Sequence, residues 1–258
     1  MPRRTGVHCV TKAMKYHNVS DKNMAFDASI IITSSLIPTH PSISIINSTI
    51  CSLKLLLGLS GASPILITVD GLDVARSDSQ ENRQRLQDYV RNIRLAFRND
   101  ARVRILTSYT YGHLTNSLKM AVELVDTKYV YVIQHDFPFV KAINHPALVM
   151  SMEENQELRI IRFNKRTNTK MAGHGCNLSM HSNGLDFVLN RWSDNNHFTT
   201  KQYHVDMLKR LGPTPRAPES PMMYAQGKNC SLYGQYLYGG VGDGPFIHHL
   251  DGRNKEVV

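Results

Sequence analysis

The segment Phe26-Asp-Ala-Ser-Ile-Ile-Ile-Thr33 decides the fold class. Its run Ile30-Ile31-Ile32 is short, β-branched and bounded by turn-forming residues, the pattern of a strand buried on both faces. Ser34, Ser35, Pro38, Thr39, His40 and Pro41 follow as a loop. Ile43, Ile46, Ile50, Leu53 and Leu57 then recur at helical spacing and predict a helix over 42–59. A second apolar run, Pro64-Ile-Leu-Ile-Thr-Val69, ends at Asp70-Gly71 and completes a β-α-β unit. Such a unit carries two parallel strands and a right-handed crossover.

The alternation continues downstream. Leu86, Val90, Ile93 and Phe97 lie on one face of a helix predicted over 80–98, while Arg83, Arg85, Arg91, Arg94 and Arg98 occupy the rest as a solvated basic surface. A strand at Val103-Arg-Ile-Leu-Thr107, a polar-aromatic loop over 108–113, a helix over 114–126 and a strand at Tyr129-Val-Tyr-Val-Ile133 follow, the last leading into Gln134-His135-Asp136. Strands alternating with helices predict an α/β domain with a mostly parallel central sheet and helices on both sides. Beyond Asp136 the alternation fades. Arg159-Ile-Ile-Arg-Phe163 reads as a strand, 184–192 and 203–211 read as helices, and an α+β second half is expected to complete the site.

The chain has 258 residues, 41% of them hydrophobic, and no linker-like stretch, so one domain is expected over 26–258. Residues 1–25 mix Arg3, Arg4, Lys12, Lys15 and Lys22 with scattered apolar residues and read as a loosely attached extension. That extension lacks the apolar core of a secretory signal, and no stretch has the ~20 apolar residues a spanning helix needs. A soluble, cytoplasmic protein is the default expectation, although the basic start at 1–17, free of acidic residues, is compatible with organelle targeting. Cys9, Cys51, Cys176 and Cys230 are far apart and form no C-x-x-C pair, so neither a zinc ribbon nor a redox motif is indicated, and a reduced compartment is the default expectation. The sequons at Asn18, Asn47, Asn177 and Asn229 matter only in a secreted protein. A net charge of +9 favours anionic partners, but no basic-aromatic interleaving or reading helix supports a nucleic-acid role.

In open α/β sheets ligands sit beyond the carboxyl ends of the strands, where loops converge and helix N-termini point N–H groups at anions. Those ends are Ser34-Ser35, Asp70-Gly71, 108–113 with Gly112 and His113, and Gln134-His135-Asp136. Carboxylates, imidazoles and phosphate oxygens together suit Mg²⁺ or Mn²⁺. Asp70 fits a turn as well as a site, since Asp-Gly is a common turn dipeptide. Asp136, set between an apolar strand and Phe137-Pro-Phe139, reads more strongly as functional.

The order of these parts resembles the GT-A glycosyltransferases related to the large inverting family-2 group. Ile30-Ile-Ile-Thr-Ser-Ser35 with Ile46-Asn-Ser-Thr-Ile-Cys-Ser-Leu53 resembles their opening, and Leu66-Ile-Thr-Val-Asp-Gly71 their second strand, whose terminal Asp contacts the nucleobase. Tyr129-Val-Tyr-Val-Ile-Gln-His-Asp136 resembles the strand entering their metal-binding Asp-x-Asp motif, with Gln134 in place of the first Asp. The resemblance therefore rests metal binding on Asp136. The segment from Tyr238 to Arg253 is similar to their C-terminal segment, where a histidine returns to the metal. One of His248 and His249 should ligate, because neighbours on an extended segment face opposite ways, and His249 is preferred. Arg253 would contact the diphosphate.

The resemblance further implies a Gly-containing loop at Ala172-Gly-His-Gly-Cys-Asn-Leu178 and an acidic motif at Pro218-Glu219-Ser220, where Ser220 departs from the family's Asp. Glu219 is the implied acceptor base, with Asp194 in Trp192-Ser-Asp-Asn-Asn-His197 the alternative. The donor, a UDP-sugar or GDP-sugar, is expected against Thr33, Ser34, Asp70, Gly112, His113, Lys119, Gln134 and His135. Its sugar would pass to a hydroxyl of a glycan, protein or small-molecule acceptor. Two alternatives stand beside this: a degenerate protein that only binds nucleotide sugars, motivated by Gln134 and Ser220, and a sugar-phosphate nucleotidyltransferase. The latter ranks lower because 33–41 contains neither Gly nor Lys/Arg.

Overall fold

The computed structural model of the protein describes residues 27–171, 176–214 and 216–251. The expected extension at 1–25 lies outside them. The apolar runs form strands as expected: β1 (Ala28–Ser34), then α1 (Ser44–Ser52), a 3₁₀ turn (Leu53–Leu55), β2 (Leu56–Leu57), β3 (Ile65–Val69), α2 (Gln80–Phe97), β4 (Val103–Thr107), α3 (His113–Val122) and β5 (Tyr129–Gln134). The second half adds β6 (Ile143–Asn144), α4 (His145–Glu154), β7 (Ile160–Arg162), β8 (Ser179–Ser182), β9 (Leu185–Asn190) and β10 (His197–Thr200). It closes with α5 (Lys201–Leu211), α6 (Glu219–Lys228), α7 (Cys230–Tyr233) and β11 (Gln235–Tyr238).

Among the described residues one nine-stranded sheet organises the fold, in the order β4-β3-β1-β5-β10-β7-β11-β9-β8. β4, β3, β1 and β5 are mutually parallel, and within this sheet only β10 and β9 run against the rest. Alternate side chains of the parallel strands feed two cores. Ile30 and Ile32, Ile65 and Ile67, and Tyr131 and Ile133 pack against Ile46 of α1, Tyr89 and Ile93 of α2 and Leu148 of α4. Ile31, Leu66, Val130 and Val132 face the other way onto Leu118 and Ala121 of α3, Met207 and Leu211 of α5, and Met222 of α6. The fold is thus a mixed α/β one, a large central sheet flanked by helices on both faces. Local signals set the helix ends: Ser79, Asn144 and Thr200 cap α2, α4 and α5 with side-chain oxygens, and Gly212 ends α5 at φ 75°.

Three expectations are corrected. The helix predicted over 42–59 stops at Ser52, tightens into a 3₁₀ turn, and yields to Leu56, which pairs with Ile143 and is buried. The helix predicted over 184–192 is instead strand β9, antiparallel to β8 across a two-residue turn. Asn183 and Gly184 both take positive φ, 52° and 73°, the conformation that tight hairpins favour. A reduced set of thiols was expected, but Cys176 and Cys230, 54 residues apart in sequence, form a disulfide. Spacing alone could not anticipate that pairing, since it depends on β9 and β11 being neighbours.

Replacing both Cys176 and Cys230 by serine is expected to lower the unfolding free energy by about 2–4 kcal/mol, since the bond closes a long loop of the unfolded chain. Equilibrium denaturation of the oxidised protein against the double variant measures it.

Candidate active site

The parallel strands bring their polar ends to one edge. Asp70 follows β3 and donates its backbone N–H to Ser34 O at 2.9 Å, and His135 follows β5 and donates to Thr33 O at 2.9 Å. The Asp70 side chain is 4% exposed and turns toward the next loop. Its Oδ1 accepts from Gly71 N at 3.0 Å and from Gly112 N at 3.1 Å. Asp70 therefore ties the end of β3 to Gly112, the residue just before α3. Burial pushes its carboxyl above the ordinary range, against the pull of the Gly112 and Gly71 N–H groups and the nearby His113.

The approach of the two loops leaves no room for a side chain at Gly71. A Cβ there would lie 2.5 Å from the Thr110 carbonyl carbon. His113, the first residue of α3, sits at φ 55°, in the left-handed region that a residue with a side chain enters at a cost of roughly 1–2 kcal/mol. Its Nδ1 bonds the Tyr111 hydroxyl at 3.0 Å.

Beside this edge, Thr33 and Ser34 are buried, and the Ser34 hydroxyl bonds that of Tyr89 at 2.9 Å. Tyr89 in turn stacks on His40, ring centroids 3.5 Å apart. The loop carrying His40 is clamped from α2: Arg85 donates to the carbonyls of Ile37, Pro38 and His40. This arginine belongs to the basic face expected to be solvated, yet it is half-buried and structural. Burial drives the His40 imidazole down to about 2, with the charges of His135 and Arg85 adding to it. Burial likewise lowers His135, whose Nε2 has no hydrogen-bond partner among the described residues, while the Asp136 charge opposes the shift.

Asp136 meets the end of the chain. Residues 246–250 run antiparallel to 136–140, with Phe139 bridging Ile247, His248 N donating to Pro138 O at 3.0 Å and Leu250 N to Asp136 O at 2.8 Å. This pairing delivers His249 to Asp136, Nε2 to Oδ2 3.1 Å, with the imidazole stacked on Phe137 at 4.6 Å. His248 points away and is exposed. Among the described residues no three of His, Cys, Asp and Glu converge as a metal site. Asp136 and His249 supply one carboxylate and one imidazole, and Mg²⁺ is commonly held by one or two protein groups with phosphate and water oxygens.

A second polar cluster adjoins this pair. Gln134, two residues before Asp136, donates its amide to Asp194 O at 3.1 Å. Buried Asn196 braces the junction: it accepts from Gln134 N at 2.9 Å and donates to Phe137 O at 2.7 Å. Burial raises the Asp194 carboxyl, the charge of Glu219 raises it further, and Lys165 and Arg162 pull it back. Glu219, the first residue of α6, is thus close enough for the two carboxylates to feel each other. Its position is set from α3, where Thr115 Oγ1 and Arg216 exchange hydrogen bonds just upstream of Glu219. Between these carboxylates and β9 lies Arg162, 7% exposed. Its Nη2 donates to Asn190 Oδ1 at 2.8 Å and its Nε finds no partner among the described residues. Burial lowers its guanidinium to about 10, opposed by the charges of Glu219 and Asp194.

Of the residues expected from sequence, the strand ends assemble Thr33, Ser34, Asp70, Gly112, His113, Gln134, His135 and Asp136 on one edge, with His249, Asp194 and Glu219 reaching it from later elements. Lys119 faces elsewhere: its ammonium bonds the carbonyls of Gly212 and Pro213 at the end of α5. Arg253 and the glycines of the 172–175 loop lie outside the described residues. Sequence reasoning missed Arg162 and Asn196. An arginine inside the apolar run Arg159-Ile-Ile-Arg-Phe163 was the available sign for the first, and nothing local marked the second.

No protein-family description matches the chain, and no curated protein sequence matches it. Among solved structures it is similar to a cytidylyltransferase from Leptospira borgpetersenii serovar Hardjo-bovis, at 11% identity over 85% of this chain and 79% of that one, with a TM-score of 0.48. It is also similar to residues 1–349 of S. aureus TarS, at 12% identity over 86% of this chain and 60% of that one, TM-score 0.46. A second TarS structure aligns at 10% identity over 86% of this chain and 36% of that one, TM-score 0.47.

Asp70→Asn keeps an acceptor for Gly112 and removes the buried charge. Because the folded carboxyl titrates above its ordinary 3.8, wild type carries a penalty that is absent below that pH and grows as pH rises through the raised value. Denaturation of both proteins across the acid range is expected to show wild type losing stability relative to the variant as pH rises from about 4. A difference that stays flat with pH contradicts the buried charge.

Proposed function

We propose that this chain is a glycosyltransferase that moves a sugar from a nucleoside-diphosphate sugar to an acceptor hydroxyl. The observation that carries the reading is the Gln134 bridge. It sets the Asp136–His249 pair, suited to a cation and diphosphate, beside Asp194 and Glu219, suited to take a proton. The sequence resemblance to GT-A enzymes, with its order of motifs, supports the same division of labour.

In this reading the nucleoside of a UDP- or GDP-sugar lies along Thr33, Ser34, Asp70 and the loop ending at Gly112 and His113. Asp70 acts by holding that loop against β3, and Tyr89 and His135 form a dry wall behind it. Asp136 and His249 would hold Mn²⁺ or Mg²⁺, which when bound offsets negative charge on the leaving diphosphate. Arg253 would add a guanidinium to the same oxygens.

The remaining chemistry belongs to the carboxylates. The attacking hydroxyl must lose a proton, and a carboxylate of raised pKa within reach is the better acceptor. Asp194 has that property, raised by burial and by the neighbouring Glu219, and Arg162 is the buried cation beside it. A second reading, a protein that binds nucleotide sugars without transferring them, is favoured by Gln134: its amide is spent on Asp194 O instead of offering a carboxylate to a cation.

The test is release of nucleoside diphosphate from a panel of UDP- and GDP-sugars with Mn²⁺ and mixed acceptors. Asp136→Ala is expected to reduce the rate roughly 100-fold or more, and nucleotide binding with no donor breakdown supports the second reading. The pH profile then separates the two base candidates. If Asp194 takes the proton, the rate falls as pH drops through a value above 3.8, and Glu219→Gln moves that limb to lower pH by removing the charge that raises Asp194. If Glu219 is the base, the same substitution abolishes transfer.

A further inference from the structure

Two sequons and the disulfide coincide on one patch of the surface. Cys176 directly precedes Asn177-Leu178-Ser179, and Cys230 is the middle residue of Asn229-Cys230-Ser231. The bond between them holds their Cα atoms 6.0 Å apart, so sequons from separate parts of the chain are brought side by side. Asn177, Ser179, Asn229 and Ser231 are all exposed. The sequon at Asn47 is different in kind: it lies within α1, and its Thr49 is fully buried and donates to His135 O at 2.7 Å.

We propose that Asn177 and Asn229 are N-glycosylated and that the chain folds in an oxidising, secretory-type compartment. Disulfides persist where glutathione and thioredoxin do not hold thiols reduced, and asparagine-linked glycans are added on the same route. In the transfer, Nδ2 of the asparagine attacks C1 of the first sugar of a polyprenyl-diphosphate-linked oligosaccharide. The N–C1 bond forms as the C1–O bond breaks, one amide proton is lost, and polyprenyl diphosphate leaves.

Both side chains tolerate the product. Asn229 uses its Oδ1 to accept from Leu232 N at 3.1 Å and from the Ser231 hydroxyl at 2.8 Å, so substitution at Nδ2 leaves those bonds in place. Asn177 donates one Nδ2 hydrogen to Glu157 Oε2 at 3.2 Å, and the substituted amide retains one hydrogen for that bond. An open cleft of about 510 Å³ lined by Glu154, Glu157, Arg159, Asn177 and Leu232 adjoins the patch and gives the first sugars room. Leu232, 46% exposed, would be covered by them. The patch lies where β7 and β11 begin and β9 ends, the sheet edge opposite to the one carrying Asp136. Glycans there leave the candidate active site open, so this inference stands independently of the proposed activity.

Peptide mapping of the full chain purified from its native source tests it. The protein is treated with peptide N-glycosidase in oxygen-18 water and then digested without reduction. Aspartate labelled with oxygen-18 at both positions 177 and 229, in peptides joined through Cys176 and Cys230, is expected. Unmodified asparagine at either position overturns the proposal, as does labelling confined to positions 18 or 47. Expression of the full chain in a eukaryotic secretory host supplies the second measurement: Asn177→Gln and Asn229→Gln should each remove one glycan from the gel mobility, and unchanged mobility overturns the proposal.

Discussion

Everything in this structure depends on covering both faces of the parallel strands β3, β1 and β5. Their side chains alternate between two cores, so Ile31 and Ile32 of one strand bury against different helices. A parallel sheet has no wet face, and its strands consequently read as near-continuous apolar runs. Full burial also keeps charged side chains out of these three strands and leaves them to the strand ends. Because β3, β1 and β5 point the same way, Asp70, Ser34 and Gln134 emerge together, and the following loops must satisfy their backbone groups. Chemistry collects at that edge as a consequence of packing.

Long-range pairings then refine the edge. The C-terminal segment adds itself antiparallel to residues 136–140 and brings an imidazole to Asp136. Asn196 and Gln134 join the end of β5 to the segment before β10, which places Asp194. Thr115 and Arg216 fasten the approach to α6, which places Glu219. Three separate parts of the second half are thus indexed to the parallel strands by hydrogen bonds to backbone, which cost little to form and leave buried groups unpaired if lost. Gln134 has a specific part in this. Where a carboxylate would be drawn to a cation, its neutral amide can donate to a carbonyl and link the two polar clusters.

The first half of the fold was legible because burial on both faces writes a strong pattern: β1, β3, β4 and β5 all lie where apolar runs end in turn-formers. The approach of the His248-His249 pair to Asp136 was legible through the order of motifs; alternation along an extended segment implied only that one of the two faces it, and that one is His249. The second half was less legible because its strands are short and paired across chain-distant partners. The stretch 184–192 reads as a helix in sequence, yet Asn183-Gly184 form the positive-φ turn that makes β9 the second strand of a hairpin. Tyr89 escaped because a tyrosine among charged residues looks solvated, yet its ring is fully buried beside His40. Asn196 and the Cys176–Cys230 bond carry no local mark, and Arg162 carries only its place inside an apolar run, since each acquires its partner only when β7, β9, β10 and β11 assemble.

The central claim is that a nucleoside diphosphate is held at the edge where Asp136 meets His249. Hydrogen–deuterium exchange of the full chain with and without UDP or GDP plus Mn²⁺ tests this directly. The account predicts slowed exchange in residues 134–140 and 246–251 and in the 108–113 loop, with the start of β7 and α7 unchanged. Protection confined to those distant segments, or none with either nucleotide, would contradict it.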